Sequence, residues 1–272
     1  MKPELITSRE NSLLRHVRAV RDGRVEDQVF VEGMRLCEEA LTSGLGIHAV
    51  VFSDEIARKQ KPAELIEKLS SACDRLVCVS ETLLKSVSYS KTSQGILLLA
   101  SRPDSSEEVL TAKQSEPSLI VVMHRVTNPV NLGAILRTSE ATGATGAIAT
   151  ENATDPFSPK ALRGAMGAAF RLPIWYRPTY AQVLDWCSRR GIKTICADLN
   201  SPKNYTELDW TDPCALILGP ETAGLSPAEI AAADEAVKIP MREPVESLNV
   251  SVAAGVLLYE AARQRGAGRS GR

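Results

Sequence analysis

Six short apolar runs divide the second half of the sequence, and their spacing constrains the fold more than any other feature. They are LIVVM (Leu119–Met123), GAIAT (Gly146–Thr150), LPIWY (Leu172–Tyr176), KTICA (Lys193–Ala197), CALILG (Cys214–Gly219) and AVKIP (Ala236–Pro240). Each is strand-length, and each is too short for a buried helix. Helical periodicity occupies Leu132–Ala141, Tyr180–Arg190 and Pro227–Ala233 between them, and Leu248–Gln264 after the last. Parallel strands need long crossovers, so this alternation predicts an α/β domain with a parallel sheet covered by helices on both faces.

The first half repeats the alternation on a smaller scale. Phe30–Glu32, His48–Ser53, Arg75–Val79 and Gly95–Ala100 read as strands, with helices over Arg35–Ser43 and Ala63–Ser70, which predicts a small α/β domain. The polar, unpatterned stretch from Ser101 to Pro117 separates the halves. The expected organisation is a first domain over 1–102, a linker over 103–117 and a second domain over 118–272, with a frayed basic tail from Arg263 to Arg272.

Charge narrows the partners. Lys and Arg total 32 against 33 Asp and Glu, a net charge of -1, so no global cationic field exists and a nucleic-acid ligand would need a local basic patch. The six cysteines form no CxxC pair, and the histidines His16, His48 and His124 lie far apart. They read as reduced thiols and isolated imidazoles, with no metal expected. The absence of a long apolar run and of a signal-like start predicts a cytoplasmic protein with no membrane partner.

In an open parallel sheet, ligands bind beyond the carboxyl ends of the strands. Three loops there stand out. His124–Gly143 holds Asn131 at an expected helix start, with Gly133 beside it and Arg137 within the helix. Leu216–Ser226 ends a buried strand in Gly219 and Pro220, followed by Glu221 and Gly224, and glycines there would let a ligand approach the backbone. Ile239–Arg265 runs through a proline-bearing loop to Ser247, Leu248 and Asn249, then into an apolar helix whose Ala253, Ala254 and Gly255 would permit close packing. Read singly, each loop is an ordinary turn with a capped helix. No GxGxxG or P-loop pattern occurs, which argues against dehydrogenase and NTPase readings.

Taken in order, the loops resemble the three motifs of the SpoU (TrmH-like) RNA 2′-O-ribose methyltransferases. The matching positions are Asn131, Gly133 and Arg137; Leu218, Gly219, Glu221 and Gly224; and Ile239–Met241 with Ser247–Ser251. The stretch Arg163–Ile174 also looks like the family's segment between its first two motifs. Phe30–Leu41 is similar to an N-terminal RNA-recognition domain of L30e/L7Ae type. Val130, Thr222, the His124-Arg125 pair and Arg242-Glu243-Pro244 depart from the usual family residues.

The resemblance implies a SPOUT-type parallel sheet with a deep C-terminal trefoil knot, S-adenosylmethionine (AdoMet) as methyl donor, and a homodimer joined through the knot region. It implies cofactor contacts at Leu218, Gly219, Ile239, Met241, Leu248 and Asn249, and catalytic or loop-holding roles for Arg137, Asn131, Glu221, Ser247 and Asn249. Structured RNA, ribosomal rather than transfer RNA, is the expected substrate. Its basic contacts are expected at Arg9, Arg15, Arg18, Arg21, Arg24, Arg163 and Arg171. A ribose hydroxyl is a poor nucleophile, and a guanidinium stays charged near neutral pH, so Arg137 is read as a clamp on phosphate and nascent alkoxide, with a general-base role as the lesser alternative. Two other readings stand beside this one: a catalytically silent RNA-binding assembly protein, and base methylation by a knotted relative.

Overall fold

The computed structural model of the chain describes residues 1–111 and 118–266. The end of the expected linker and the tail beyond Gly266 lie outside the described residues. Contacts group the chain into two compact units: Met1–Pro103 with Phe157–Arg171, and Asp104–Pro156 with Leu172–Arg272.

The first unit runs β1 (Glu4–Ile6), α1 (Ser12–Arg21), β2 (Gln28–Glu32), α2 (Met34–Thr42), β3 (Ile47–Ser53), α3 (Gln60–Ser70), β4 (Cys73–Val79), α4 (Glu81–Val87) and β5 (Ile96–Ser101). Its sheet has the order β1-β4-β3-β5-β2. β1, β4 and β3 are parallel, whereas β5 runs antiparallel to both β3 and β2. Sequence periodicity located four of these strands and two of the helices. β1 escaped it because only Ile6 of its three residues is buried. α1 turns Leu13, Leu14, Val17 and Val20 inward, a pattern interrupted in sequence by the arginines between them.

The second unit contains β6 (Leu119–Met123), α5 (Pro129–Ala141) and β7 (Gly146–Ala149). The chain then passes through two short helices, α6 (Pro159–Ala165) and α7 (Ala168–Arg171), that group with the first unit. It returns as β8 (Ile174–Tyr176), α8 (Tyr180–Arg189), β9 (Lys193–Ala197), β10 (Cys214–Leu218), α9 (Pro227–Ala231), β11 (Glu235–Val237) and α10 (Val250–Gln264). The sheet has the order β11-β9-β10-β6-β7-β8, and every pairing in it is parallel.

Every residue of β6 and β10 is buried. A strand alternates its side chains between faces, so both faces at the centre of the sheet are covered. The winding reverses between these two strands: the chain moves outward from β6 through β7 to β8, then builds the other half. Met123 lies opposite Leu218, and His124 N–H extends the ladder to the Leu218 carbonyl at 2.9 Å. The two loops after β6 and β10 therefore leave side by side from the crevice where such sheets bind ligands.

Candidate functional site

The loop after β6 enters α5 through Asn128, not through Asn131 as the sequence suggested. Asn128 Oδ1 accepts from Val130 N–H at 2.9 Å, and Pro129 takes the first helical position, where its missing N–H costs nothing. Asn131 is thereby moved into the first turn of α5, buried, with its amide free for tertiary contacts.

Those contacts join all three loops. Glu221 receives the N–H groups of Asn128 (3.1 Å) and Thr127 (3.3 Å) and the side-chain amide of Asn131 (3.3 Å). Asn131 Oδ1 accepts in turn from Asn249 Nδ2 at 3.2 Å. Asn249 caps α10, its Oδ1 taking Ser251 N–H at 2.9 Å and Ser251 Oγ at 2.6 Å. Each amide is used at both ends, so an ionised Glu221 fixes the orientation of the whole series. Burial would raise the Glu221 carboxyl, but the backbone amides of Glu221, Asn128 and Thr127 and the Asn131 side chain hold it below the ordinary carboxylate range.

The glycines of the second loop serve the loop itself. A Cβ on Gly219 would come within 2.9 Å of both the nitrogen and Cγ of Leu225, and Gly224 has φ of +64°. The close contact at Gly219 and the positive φ at Gly224 are what the tight turn that places Glu221 requires.

A second network braces the same end of the sheet. The buried His124 ring lies between Thr150 Oγ1 (3.1 Å) and Glu229 Oε1 (3.0 Å), and Arg125, at φ of +53°, donates to the same Glu229 oxygen at 2.7 Å. Glu229 also closes a capping box with Ser226 at the start of α9. Burial works against the Glu229 carboxylate, yet the Ser226 amide and hydroxyl, His124 and Arg125 bring it down to about 2. Burial lowers His124 and the Arg125 cation adds to this, outweighing its bond to Glu229, so the imidazole is neutral at pH 7. The sequence reading missed this network and the role of Asn128. The Asn-Pro pair and the Ser-x-x-Glu spacing were the signals available for two of its parts.

Other expected residues fall elsewhere. Arg137 is exposed on α5 and takes no part in the Glu221 series. Ser247 is exposed and makes no hydrogen bond among the described residues. Leu218 is buried at the end of β10, Gly219, Ile239 and Met241 are half-buried, and Leu248 is exposed. The loop from Ile239 to Leu248 is tied internally by Val245 N–H to the Arg242 carbonyl, with Val245 itself exposed. The small, half-buried Gly219 and the half-buried apolar Ile239 and Met241 are a lining that fits an adenine held by main-chain atoms.

Gly255 does not mark a tight helix contact within the chain, since a Cβ there would meet nothing within 4 Å. It lies instead on an open apolar stripe of α10 with Val252 and Tyr259.

The expected RNA-binding arginines divide. Arg18 donates to the Arg9 carbonyl, Arg21 to the Val87 and Ser88 carbonyls at the end of α4, Arg24 to Asp22, and Arg171 pairs with Glu39. Of these, the Arg21 contacts join α1 to the end of α4. Arg9, Arg15 and Arg163 are exposed.

Comparison with known proteins matches residues 118–259 to the SpoU rRNA Methylase family and residues 14–98 to an MRM3-like substrate binding domain. An uncharacterized tRNA/rRNA methyltransferase of Synechocystis is 34% identical over 96% of this chain and 94% of its own length. A 23S rRNA (guanosine-2′-O-)-methyltransferase of Coxiella burnetii is 31% identical over 81% of this chain and 94% of its own. The crystal structure of the SpoU methyltransferase AviRb from Streptomyces viridochromogenes, in complex with AdoMet, superposes with a TM-score of 0.85 at 28% identity, covering 97% of this chain and all of that one.

Proposed function

Because the chain belongs to the SpoU rRNA methylase family, we propose that it transfers a methyl group from AdoMet to a ribose 2′-hydroxyl of RNA, with 23S ribosomal RNA as substrate. The observation that carries this reading is the single hydrogen-bonded series through Glu221, Asn131 and Asn249, which ties the three motif loops together at the reversal point of the sheet. Relatives of similar length, named for 2′-O methylation of 23S RNA, support the reaction and the substrate.

AdoMet supplies an electrophilic methyl group when bound. Main-chain groups around Gly219, Ile239, Met241 and Leu248, with the apolar side chains of the last three, would hold its adenosine, and the Glu221 series keeps those loops in place. The attacking oxygen must lie in line with the methyl carbon, within about 3 to 3.5 Å, so positioning is a large part of the catalysis. Arg137 is the residue assigned to the substrate: its charged guanidinium stabilises the 2′-oxygen as the hydroxyl proton passes to solvent water, and it engages the neighbouring phosphate. Asn131 and Asn249 act through the loops they join.

Arg137 stands outside the series within its own chain, and α10 leaves Val252, Gly255 and Tyr259 open. Both facts support a homodimer in which α10 lies in the interface and Arg137 serves a site completed by the second copy. The family assignment further supports a trefoil knot in the second unit and an L30e/L7Ae-like first unit that binds RNA. A ribosomal RNA substrate supports a cytoplasmic location.

The test is transfer of a labelled methyl group to 23S ribosomal RNA followed by alkaline hydrolysis. A 2′-O-methyl ribose blocks cleavage, so the label is expected in an alkali-resistant dinucleotide. Label recovered in mononucleotides would assign the methyl to a base and overturn the reading.

A further inference from the structure

The first unit contains a cleft whose lining includes Glu32, Arg35, Gln94 and Arg163. Glu32 closes β2 and is 8% exposed. Its Oε2 accepts from Tyr89 N–H at 3.0 Å and Ser90 N–H at 2.9 Å, while its Oε1 has no partner. A buried carboxylate oxygen without a donor is costly, and one that lines a cleft calls for a donor arriving from outside. Gln94 stands beside it, with its carbonyl oxygen held by Met34 N–H at 2.9 Å, which leaves the amide N–H groups to meet an acceptor. Gly33, at φ of +103°, permits this arrangement, since a Cβ there would come within 2.9 Å of that same oxygen.

The surroundings narrow the ligand. Arg35 and Arg163 are exposed cations on the cleft, suited to phosphate. Tyr89, on the turn that binds Glu32, is 44% exposed and offers an aromatic face. Unpaired RNA bases are read by such stacking and by their Watson–Crick edges. Among the four RNA bases, guanine alone presents two adjacent donors there, N1–H and N2–H2, beside the acceptor O6. Adenine and cytosine put an unprotonated nitrogen next to their amino group, and uracil flanks its single N–H with two carbonyls that a carboxylate repels.

We propose that this cleft receives an unpaired guanosine of the RNA substrate, with Glu32 Oε1 accepting from its imino and amino groups, Gln94 donating to O6, and Arg35 and Arg163 engaging its phosphates. The proposal rests on the reading that the chain acts on RNA, and it concerns RNA recognition rather than the methylated nucleotide.

The test is binding of the full-length protein to fluorescent five-nucleotide RNAs that differ only at the centre: UUGUU, UUIUU with inosine, UUAUU, UUCUU and UUUUU. The guanosine RNA is expected to bind at least about fivefold tighter than the inosine RNA, which lacks the amino group, because hydrogen bonds to charged partners are the stronger kind. Glu32→Gln is expected to abolish that preference. Arg163→Ala is expected to weaken all five by a similar factor and leave their ranking intact. Equal binding of the five RNAs, or a guanosine preference that survives in folded Glu32→Gln, would overturn the proposal. Should Glu32→Gln fail to fold, the guanosine-to-inosine ratio in the wild type and in Arg163→Ala decides. AdoMet binding, measured on the same protein by calorimetry, separates failure here from failure of the methyltransferase reading, because the motif loops lie in the other unit.

Discussion

Asn249 and Asn131, 118 positions apart in sequence, meet through one hydrogen bond of 3.2 Å that joins the first turns of α10 and α5. Asn131 spends its other end on Glu221, so one buried amide connects three loops that share no sequence neighbourhood. Asparagine suits this position because it donates and accepts at once. Aspartate would set a second carboxylate against Glu221, and leucine would break the link between Glu221 and Asn249.

Asn131→Ala is therefore expected to cost about 1 kcal/mol of stability through the lost hydrogen bonds to Glu221 and Asn249, both of which are exposed. It should also lower methyl transfer more than tenfold, and Asn131→Asp should lose more than Asn131→Ala. Thermal melts and single-turnover methylation check both parts. Full activity in Asn131→Ala would remove the series from the mechanism.

Arg137 is exposed and makes no hydrogen bond or ion pair among the described residues, so its replacement should leave folding alone. Arg137→Ala is expected to reduce methyl transfer on the order of 100- to 1000-fold, as loss of one charge-stabilising donor does, with AdoMet affinity unchanged. Arg137→Lys should retain partial activity at neutral pH because it keeps the charge. Equal and complete loss in both variants, with RNA binding intact, would favour the general-base role.

Gly219→Ala places a methyl group 2.9 Å from the Leu225 backbone nitrogen. The loop that carries Glu221 must then shift, so AdoMet affinity should fall by at least tenfold while the buried sheet keeps most of its stability. Isothermal titration with AdoMet and a chemical denaturation curve distinguish a local effect from a global one.

His124 has a lower pKa folded than unfolded, mainly through burial, so the unfolded chain binds more protons as the pH falls. Its contribution is complete above about 6.5 and is lost progressively below that value. Glu229, held at about 2, likewise resists protonation when folded, but it loses its contribution only as the pH falls from about 4.5 toward 2. Melting temperature should therefore decline between about pH 6.5 and 4.5 in the wild type and decline less in His124→Gln. Parallel profiles for the two proteins would assign the slope to other groups.

Tyr259 is 61% exposed and Val252 51% exposed on a helix whose opposite face is buried. Val252→Glu with Tyr259→Asp is expected to convert a dimer to monomers by light scattering and to abolish methyl transfer, with the monomer still folded by circular dichroism. A wild-type protein that sediments as a monomer at assay concentrations would exclude a site shared between copies.

Local periodicity in the sequence was enough to locate all six strands of the second sheet and four of its helices, because alternation of apolar residues depends only on which side of a strand or helix faces inward. The motif residues were legible through their resemblance to the family's three motifs, taken in order along the chain. The Asn-Pro pair also announced the start of α5 at Asn128, and the reading went astray by placing the cap at Asn131, whose burial no local pattern reveals.

What the sequence could not supply was partnership across distance. The order β11-β9-β10-β6-β7-β8 is set by which strands pair, and pairing is decided by packing of the whole sheet, not by any run of five residues. That order alone puts the ends of β6 and β10 side by side, brings Glu221 onto the amides before α5, and traps His124 against Glu229, 105 positions away. Hydrogen-bond donors and acceptors are the same atoms wherever the chain carries them; only the folded backbone decides which of them meet.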